Sequence, residues 1–340
     1  MVRTETCNRT RSSRVRPLPR SRDEFRRRSR SYTEQHPRQR RAPDEHPPPR
    51  IGFSLPSFGP HAGPEAIAAV ARAAERFGLD SVSLSERLLL PAGPDWRNEA
   101  RLPESYVWDP LETLTWAAAH TSRIRLATGI VNALFQPPLI LARRLATLDR
   151  LSGGRLDVGI GQGWLPEEFT ATGVPAGRRG AGFEEHIAAM RACWGPDPVR
   201  YEGKFYRIPP STVGPKPVDG PLPLVIGAGA RSAVERAARL GAGFVTVVFP
   251  QDWDTARKQI GWYREAGGAG PVVIRVLAVS QDTPDPVATL VDGVREQRKR
   301  CVELGADEIQ WGDLNLAEVP VEDQVVAMEA MAAALDLDAS

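Results

Sequence analysis

From Ile51 onward the chain repeats one theme: a short apolar run rich in Val and Ile, then a longer Ala-rich segment with apolar residues at helical spacing. Such alternation predicts βα units and a parallel sheet. The runs fall at 51–55, 80–84, 124–130, 156–160, 222–226, 244–248, 272–279 and 308–311. The helical segments between and after them span 65–77, 109–120, 138–151, 182–194, 232–240, 252–266, 286–304 and 321–335. Eight such units and no dinucleotide fingerprint favour closure over an open doubly wound sheet. The expected fold is α/β, a (β/α)8 TIM barrel. Its surplus length lies in 86–108 and 161–221, both after strands, the second being an insertion after strand four. Within that insertion 199–206 reads as a small hairpin turning at Glu202-Gly203.

Charge divides the chain in two. Residues 1–50 carry 15 Arg and no Lys against 6 acids, whereas the remainder is net acidic by 7. The segment 1–49 has seven prolines and few apolar residues, so it cannot bury enough surface to offset its ordering entropy and is expected to be disordered. Its arginine runs would suit nucleic acid or an anionic membrane surface, but a solvated extension is the simpler reading of a charge block. Residues 50–340 form the expected folded domain, and the acidic balance there does not favour nucleic-acid binding. No run approaches the roughly 18 consecutive apolar residues of a membrane span. Cys7, Cys193 and Cys301 are far apart with no metal spacing, which points to a reducing cytoplasm and no disulfide framework.

In a barrel of this kind the chemistry sits in the loops after the strands. Glu86 and Arg87 follow strand two; the carboxylate suits proton handling or a polar ring edge, and the guanidinium suits an anionic group. A surface salt bridge is the plain alternative. Gly159-Ile160-Gly161-Gln162-Gly163-Trp164 ends strand four, where small residues would let a flat ring approach backbone with Trp164 as a wall. Packing at a crowded rim is the competing explanation. Gly227-Ala228-Gly229-Ala230-Arg231-Ser232 joins strand five to its helix, where backbone N–H groups and a helix N-terminus suit a phosphate, a tight βα turn that merely packs closely being the alternative. Trp96, Tyr106, Trp108 and Trp164 are candidates for an apolar pocket. His61, His120 and His186 lack metal-ligand spacing, and no metal site is expected.

Taken in order, these strand-end motifs resemble the bacterial luciferase-like monooxygenase superfamily, in particular its actinobacterial branch associated with the deazaflavin coenzyme F420. Ser85-Glu86-Arg87-Leu88-Leu89, Thr128-Gly129-Ile130 and above all LARRLATLDRLSGGRLDVGIGQGW from Leu141 to Trp164, followed by Glu167-Glu168-Phe169, carry the likeness. Tyr201 to Tyr206, Pro215 to Gly227 and the GAGARS loop continue it. The resemblance implies a barrel that binds a deazaflavin or flavin ring at the strand ends. Ser85, Thr128, Gly129, Gly161, Gln162, Gly163 and Trp164 would lie near the ring. Gly227, Ala228, Gly229, Arg231 and Ser232 would hold the cofactor phosphate. Relatives often have a non-proline cis bond in the third strand. Those that oxidise sugar phosphates place an Asp-His pair after strand two and a Glu near the end of strand four, where this chain has Glu86-Arg87 and Gln162. The implied activity is F420-dependent hydride transfer to or from a small organic substrate. The alternatives are an FMN-dependent monooxygenase fed by a partner reductase and using O₂, and a non-catalytic cofactor-binding barrel. A tendency to form homodimers is implied as well.

Overall fold

The computed structural model describes residues 47–338, so the expected disorder of 1–49 lies outside the described residues except at Pro47, Pro48 and Pro49. In chain order the elements are β1 (Arg50–Ser54), α1 (Pro64–Arg76), β2 (Ser81–Leu84), α2 (Pro110–His120), β3 (Arg125–Thr128), β4 (Val131–Asn132) and α3 (Pro138–Ser152). Then follow β5 (Leu156–Gly161), α4 (Pro166–Thr172), α5 (Ala181–Trp194), β6 (Val199–Glu202), β7 (Arg207–Ser211), β8 (Leu224–Gly227) and α6 (Arg231–Arg239). The last elements are β9 (Gly243–Val248), α7 (Trp253–Glu265), β10 (Val272–Val276), α8 (Pro286–Glu303), β11 (Glu308–Trp311) and α9 (Val321–Ala334).

Eight parallel strands run β3-β2-β1-β11-β10-β9-β8-β5, and β5 pairs back onto β3 to close the barrel. The (β/α)8 architecture therefore stands, with each expected helix in place. Helix starts follow local chemistry: Asp109, Asp252 and Asp285 cap α2, α7 and α8 through carboxylates that accept first-turn N–H groups. Between sheet and helices lies the apolar core, where Phe53, Phe244, Tyr263 and Trp311 are buried.

Two local expectations needed correction. The third strand is not continuous over 124–130; it breaks after Thr128, the Gly129–Ile130 peptide is cis, and the chain resumes as β4 beside β5. The hairpin turns over 203–206 rather than at Glu202-Gly203. There the Glu185 carboxylate accepts the N–H groups of Lys204, Phe205 and Tyr206 at 2.8–3.0 Å, a tertiary contact that local turn rules cannot anticipate. The insertion also contains the short helix α4, which periodicity over seven residues does not reveal.

The barrel interior combines charged groups with branched apolar side chains, Arg50, Asp157 and Glu308 sharing one pocket with Val225, Val245 and Val273. Register places Arg50 beside Glu308, Ser81 beside both Gly52 and Arg125, and Asp157 beside Ala127. At the floor Asp157 takes two bonds from Arg125, at 2.5 and 2.7 Å, and one from Arg50 at 2.9 Å. Glu308 pairs with Arg50 and accepts from Ser81 and Gln310 at 2.7 and 2.8 Å. Burial pushes the Asp157 carboxyl up, but the two arginines outweigh it and hold it below the ordinary value. Arg50, Arg125 and Glu308 thus each open a strand and, with Asp157 second in β5, form one charged network at the floor.

Candidate functional site

At the C-terminal ends of the strands the barrel opens into a cavity of about 300 Å³, lined mostly by apolar side chains including Leu55, Phe58, Leu102, Leu165 and Leu316. Its polar lining includes Ser54, Ser57, Ser85, Glu86, Glu168, Arg275 and Asn315. Apolar walls with a few convergent polar groups are the usual makeup of a small-molecule site.

Glu86 lies on this lining because the end of β2 is stitched to the break between β3 and β4. The Gly129 N–H donates to the Leu84 carbonyl at 2.7 Å and the Glu86 N–H to the Ile130 carbonyl at 2.9 Å. The Asn132 N–H donates to the Glu86 carboxylate at 2.7 Å. Burial pushes the Glu86 carboxyl up to about 7, despite the Asn132 bond, and nearby Asp109 and Glu168 push the same way. A carboxyl poised near neutrality in an apolar cleft can donate or accept a proton at physiological pH.

Glu168, part of the Glu167-Glu168-Phe169 motif but assigned no role from sequence, is buried in the same lining and accepts the Leu88 N–H at 2.7 Å. Its own carboxyl is pushed up by burial, with the Leu88 and Leu89 N–H groups and Arg87 opposing. Glu168→Gln keeps an oxygen for Leu88 but removes a charge facing Glu86. The Glu86 midpoint, followed by pH-dependent Trp fluorescence, is therefore expected to fall from about 7. An unmoved or higher midpoint would refute the coupling.

Arg87 is committed elsewhere. Its guanidinium donates to the Pro103 carbonyl at 2.8 Å and to the Ser105 carbonyl, tying the loop after β2 over the cavity. The cation the sequence reading passed over is Arg275 on β10. It donates to Ser85 Oγ at 2.6 Å and to the Gly129 carbonyl, which also accepts from Ser85 Oγ at 2.6 Å. A lone Arg inside the apolar run VVIRVLAV was the available signal, since an unpartnered charge is not tolerated in such a strand.

Beside the cavity is an open apolar shelf. Val247 is the register partner of Arg275, and both it and Phe249 are nearly half exposed, at 42% and 48%. Barrel strands seldom leave such residues open without a ligand to cover them. Trp164 is also exposed, at 55%, and lines the cavity. Trp96, Tyr106 and Trp108 do not line it; Tyr106 is largely exposed and Trp108 packs against the core.

The glycine motifs have a packing reason in part. An ideal Cβ on Gly161 would stand 2.3 Å from Ile130 Cδ1 and one on Gly227 2.8 Å from the same atom, whereas one on Gly159 would stand 2.1 Å from the Thr128 carbonyl oxygen. Ile130 thus fills the space above two strand ends, and the β3 backbone crowds the third. Gly161→Ala is expected to cost roughly 1–3 kcal/mol by overpacking. Adding Ile130→Ala should recover much of that loss in denaturant melts, and additive losses would sink the explanation. Gly163, at φ 78°, abuts Phe135 and Phe169. Thr128 is buried, exchanging bonds with Gly159 across β3 and β5, and Gln162 accepts from Arg236 at 3.2 Å.

In the Gly227–Ser232 loop, Ala230 is the N-cap of α6, and the first internal donor is the Ala233 N–H, to the Ala230 carbonyl at 2.9 Å. The first-turn N–H groups of Arg231 and Ser232 therefore precede the helical ladder, as an anion site at a helix N-terminus requires. The Arg231 side chain bonds Glu235 at 2.8 Å. His186, buried and pushed down to about 4 mainly by burial, is neutral at pH 7 and donates from Nε2 to the Gln136 carbonyl at 2.8 Å. Among the described residues no group of His, Cys, Asp and Glu suits a metal, and no helix is long and apolar enough to cross a membrane.

Residues 33–313 match the family described as luciferase-like monooxygenase. The chain is 34% identical over 276 residues to an uncharacterised Mycobacterium tuberculosis protein, covering 79% of this chain and 93% of that one. It is also 34% identical over 187 residues to an F420-dependent glucose-6-phosphate dehydrogenase of Kineococcus radiotolerans, covering 54% of this chain and 52% of that protein. A monooxygenase of Streptomyces bottropensis superposes with a TM-score of 0.67 at 27% identity, covering 84% of this chain and 98% of its own.

Proposed function

The chain belongs to the luciferase-like monooxygenase family, and on that premise we propose that it is an F420-linked oxidoreductase acting on a small organic molecule. The observation that carries the reading is a juxtaposition: a carboxyl poised near 7 lines an apolar cavity, and an open apolar shelf adjoins it across Arg275. Likeness to the Kineococcus dehydrogenase supports the cofactor.

The residues present fit a deazaflavin. Val247, Phe249 and Trp164 offer apolar surface for a flat ring, and the α6 N-terminus with its small-residue loop suits a phosphate. Arg275 and Ser85 fix the Gly129 carbonyl at the edge between shelf and cavity. The bound cofactor would supply hydride transfer, while the barrel supplies orientation and electrostatics. Glu86 holds or releases the substrate proton, its carboxylate oriented by the Asn132 N–H. Arg87 keeps the loop closed over the cavity by its bonds to Pro103 and Ser105, which limits water.

The test is a parallel titration of the full chain with F420 and FMN, followed by Trp fluorescence. Selective F420 binding is the expected result. Likeness to the Streptomyces monooxygenase favours a second reading, an FMN-dependent monooxygenase supplied by a reductase; selective FMN binding with substrate-dependent O₂ uptake would establish that one instead. Binding of neither would end both.

A further inference from the structure

We propose that the cavity selects substrates without negative charge: an apolar body bearing a neutral carbonyl or hydroxyl, or an amine, and not a phosphate monoester or carboxylate. This rests on reading the cavity as the substrate chamber of the proposed oxidoreductase.

The argument is one of available partners. Two cations line the cavity, and both are engaged with the protein; Arg87 Nε has no hydrogen-bond partner among the described residues but is itself buried. Arg87 donates to the Pro103 and Ser105 carbonyls, and Arg275 to the Gly129 carbonyl and Ser85 Oγ. The acids are differently placed: Glu86 and Glu168 both line the chamber, and neither has a salt-bridge partner within 4.0 Å among the described residues. An anion entering would lose its hydration, meet two carboxyl groups and have to pull an arginine from a carbonyl it already satisfies.

The charged residues lining the vestibule beside the chamber are acids. A second cavity of about 570 Å³ adjoins the first, sharing Phe58, Leu102, Pro103, Asn315 and Leu316. Its charged lining is Glu104 and Glu318, with no Arg or Lys among the lining residues. Arg101, on the same loop, pairs with Asp282 at 3.3 Å. A cleft lined by one sign of charge concentrates ligands of the other sign and repels its own, and like charges brought together at a site are a means of rejecting wrong partners. Chamber and vestibule therefore discriminate in one direction.

The experiment uses one carbon skeleton with four head groups: cyclohexanone, cyclohexylamine, cyclohexanecarboxylate and cyclohexyl phosphate. Each is titrated calorimetrically into the full chain without cofactor at about pH 8, where Glu86 is ionised. The ketone and amine are expected to bind at least about tenfold more tightly than either anion. The Glu86→Gln, Glu168→Gln double variant should narrow that ratio by improving the anions, a change that a merely damaged cavity would not produce. Equal or tighter binding of either anion, or binding by none of the four up to roughly 10 mM, would overturn the proposal. Because no cofactor is present, the result is separable from the functional reading. Anion preference in a chain that binds F420 removes the charge rule alone, and failure to bind F420 or FMN leaves the measured charge preference standing.

Discussion

Glu86→Gln is expected to lower kcat by roughly a hundred- to a thousand-fold, the range associated with losing a positioned general acid or base. Glutamine retains an oxygen for the Asn132 N–H, so the end of β2 keeps its shape and the loss reports proton handling. In the direction that removes a substrate proton, wild-type turnover should rise with pH through about 7, and in the reverse direction it should fall. The variant should lose that limb. Unchanged turnover and pH profile would remove Glu86 from the mechanism. Stability carries an independent signature. The folded carboxyl keeps its proton up to about 7, while the ordinary value is 4.5. Between those values the folded state binds more protons than the unfolded one, so stability falls as pH rises across the window. Glu86→Gln should flatten that fall, which denaturant melts at several pH values can read without any cofactor.

Glu308→Ala is expected to destabilise the barrel by about 2–5 kcal/mol, because it leaves two buried donors without their acceptor at about 1–3 kcal/mol each. Glu308 is buried and accepts from Arg50, Ser81 and Gln310. Removing it strands the buried Ser81 hydroxyl and Gln310 amide, while the partly exposed Arg50 keeps its bond to Asp157. For a domain of this size the loss corresponds to a fall in Tm on the order of 10 °C. Because the floor lies at the opposite end of the strands from the cavity, cofactor binding by the fraction still folded should be unaltered. Glu308→Gln keeps acceptors and should cost less. A Tm within a degree or two of wild type in Glu308→Ala would mean the floor contributes little.

The expected fold was legible because it is written in local periodicity. Apolar runs at strand length and Ala-rich stretches at helical spacing occur eight times, and few architectures bury eight such units in a parallel sheet. The position of Glu86 was legible for the same reason: once strand two is placed, the residue after it must reach the barrel mouth. Arg275 and Val247 were not found, although both lie in recognised strands. A strand's period of two divides its residues into two faces but does not say which face looks inward. That is decided by neighbours, here by the register that sets Val247 beside Arg275 and Arg275 beside Gln310.

Sequence alone therefore determined the order of the elements, the end of the barrel that carries the chemistry, and the residue types available there. Tertiary structure decided what those residues do. Arg87, adjacent to Glu86 in sequence, spends its hydrogen bonds on Pro103 and Ser105, whereas Glu168, 82 positions from Glu86, lines the same cavity. The glycines at 161 and 227 answer to one isoleucine contributed by another strand end, and Gly159 to the Thr128 carbonyl. Periodicity is a property of a segment and survives in the linear chain. Partnership depends on distances across a closed barrel, which exist only once all eight strands have met.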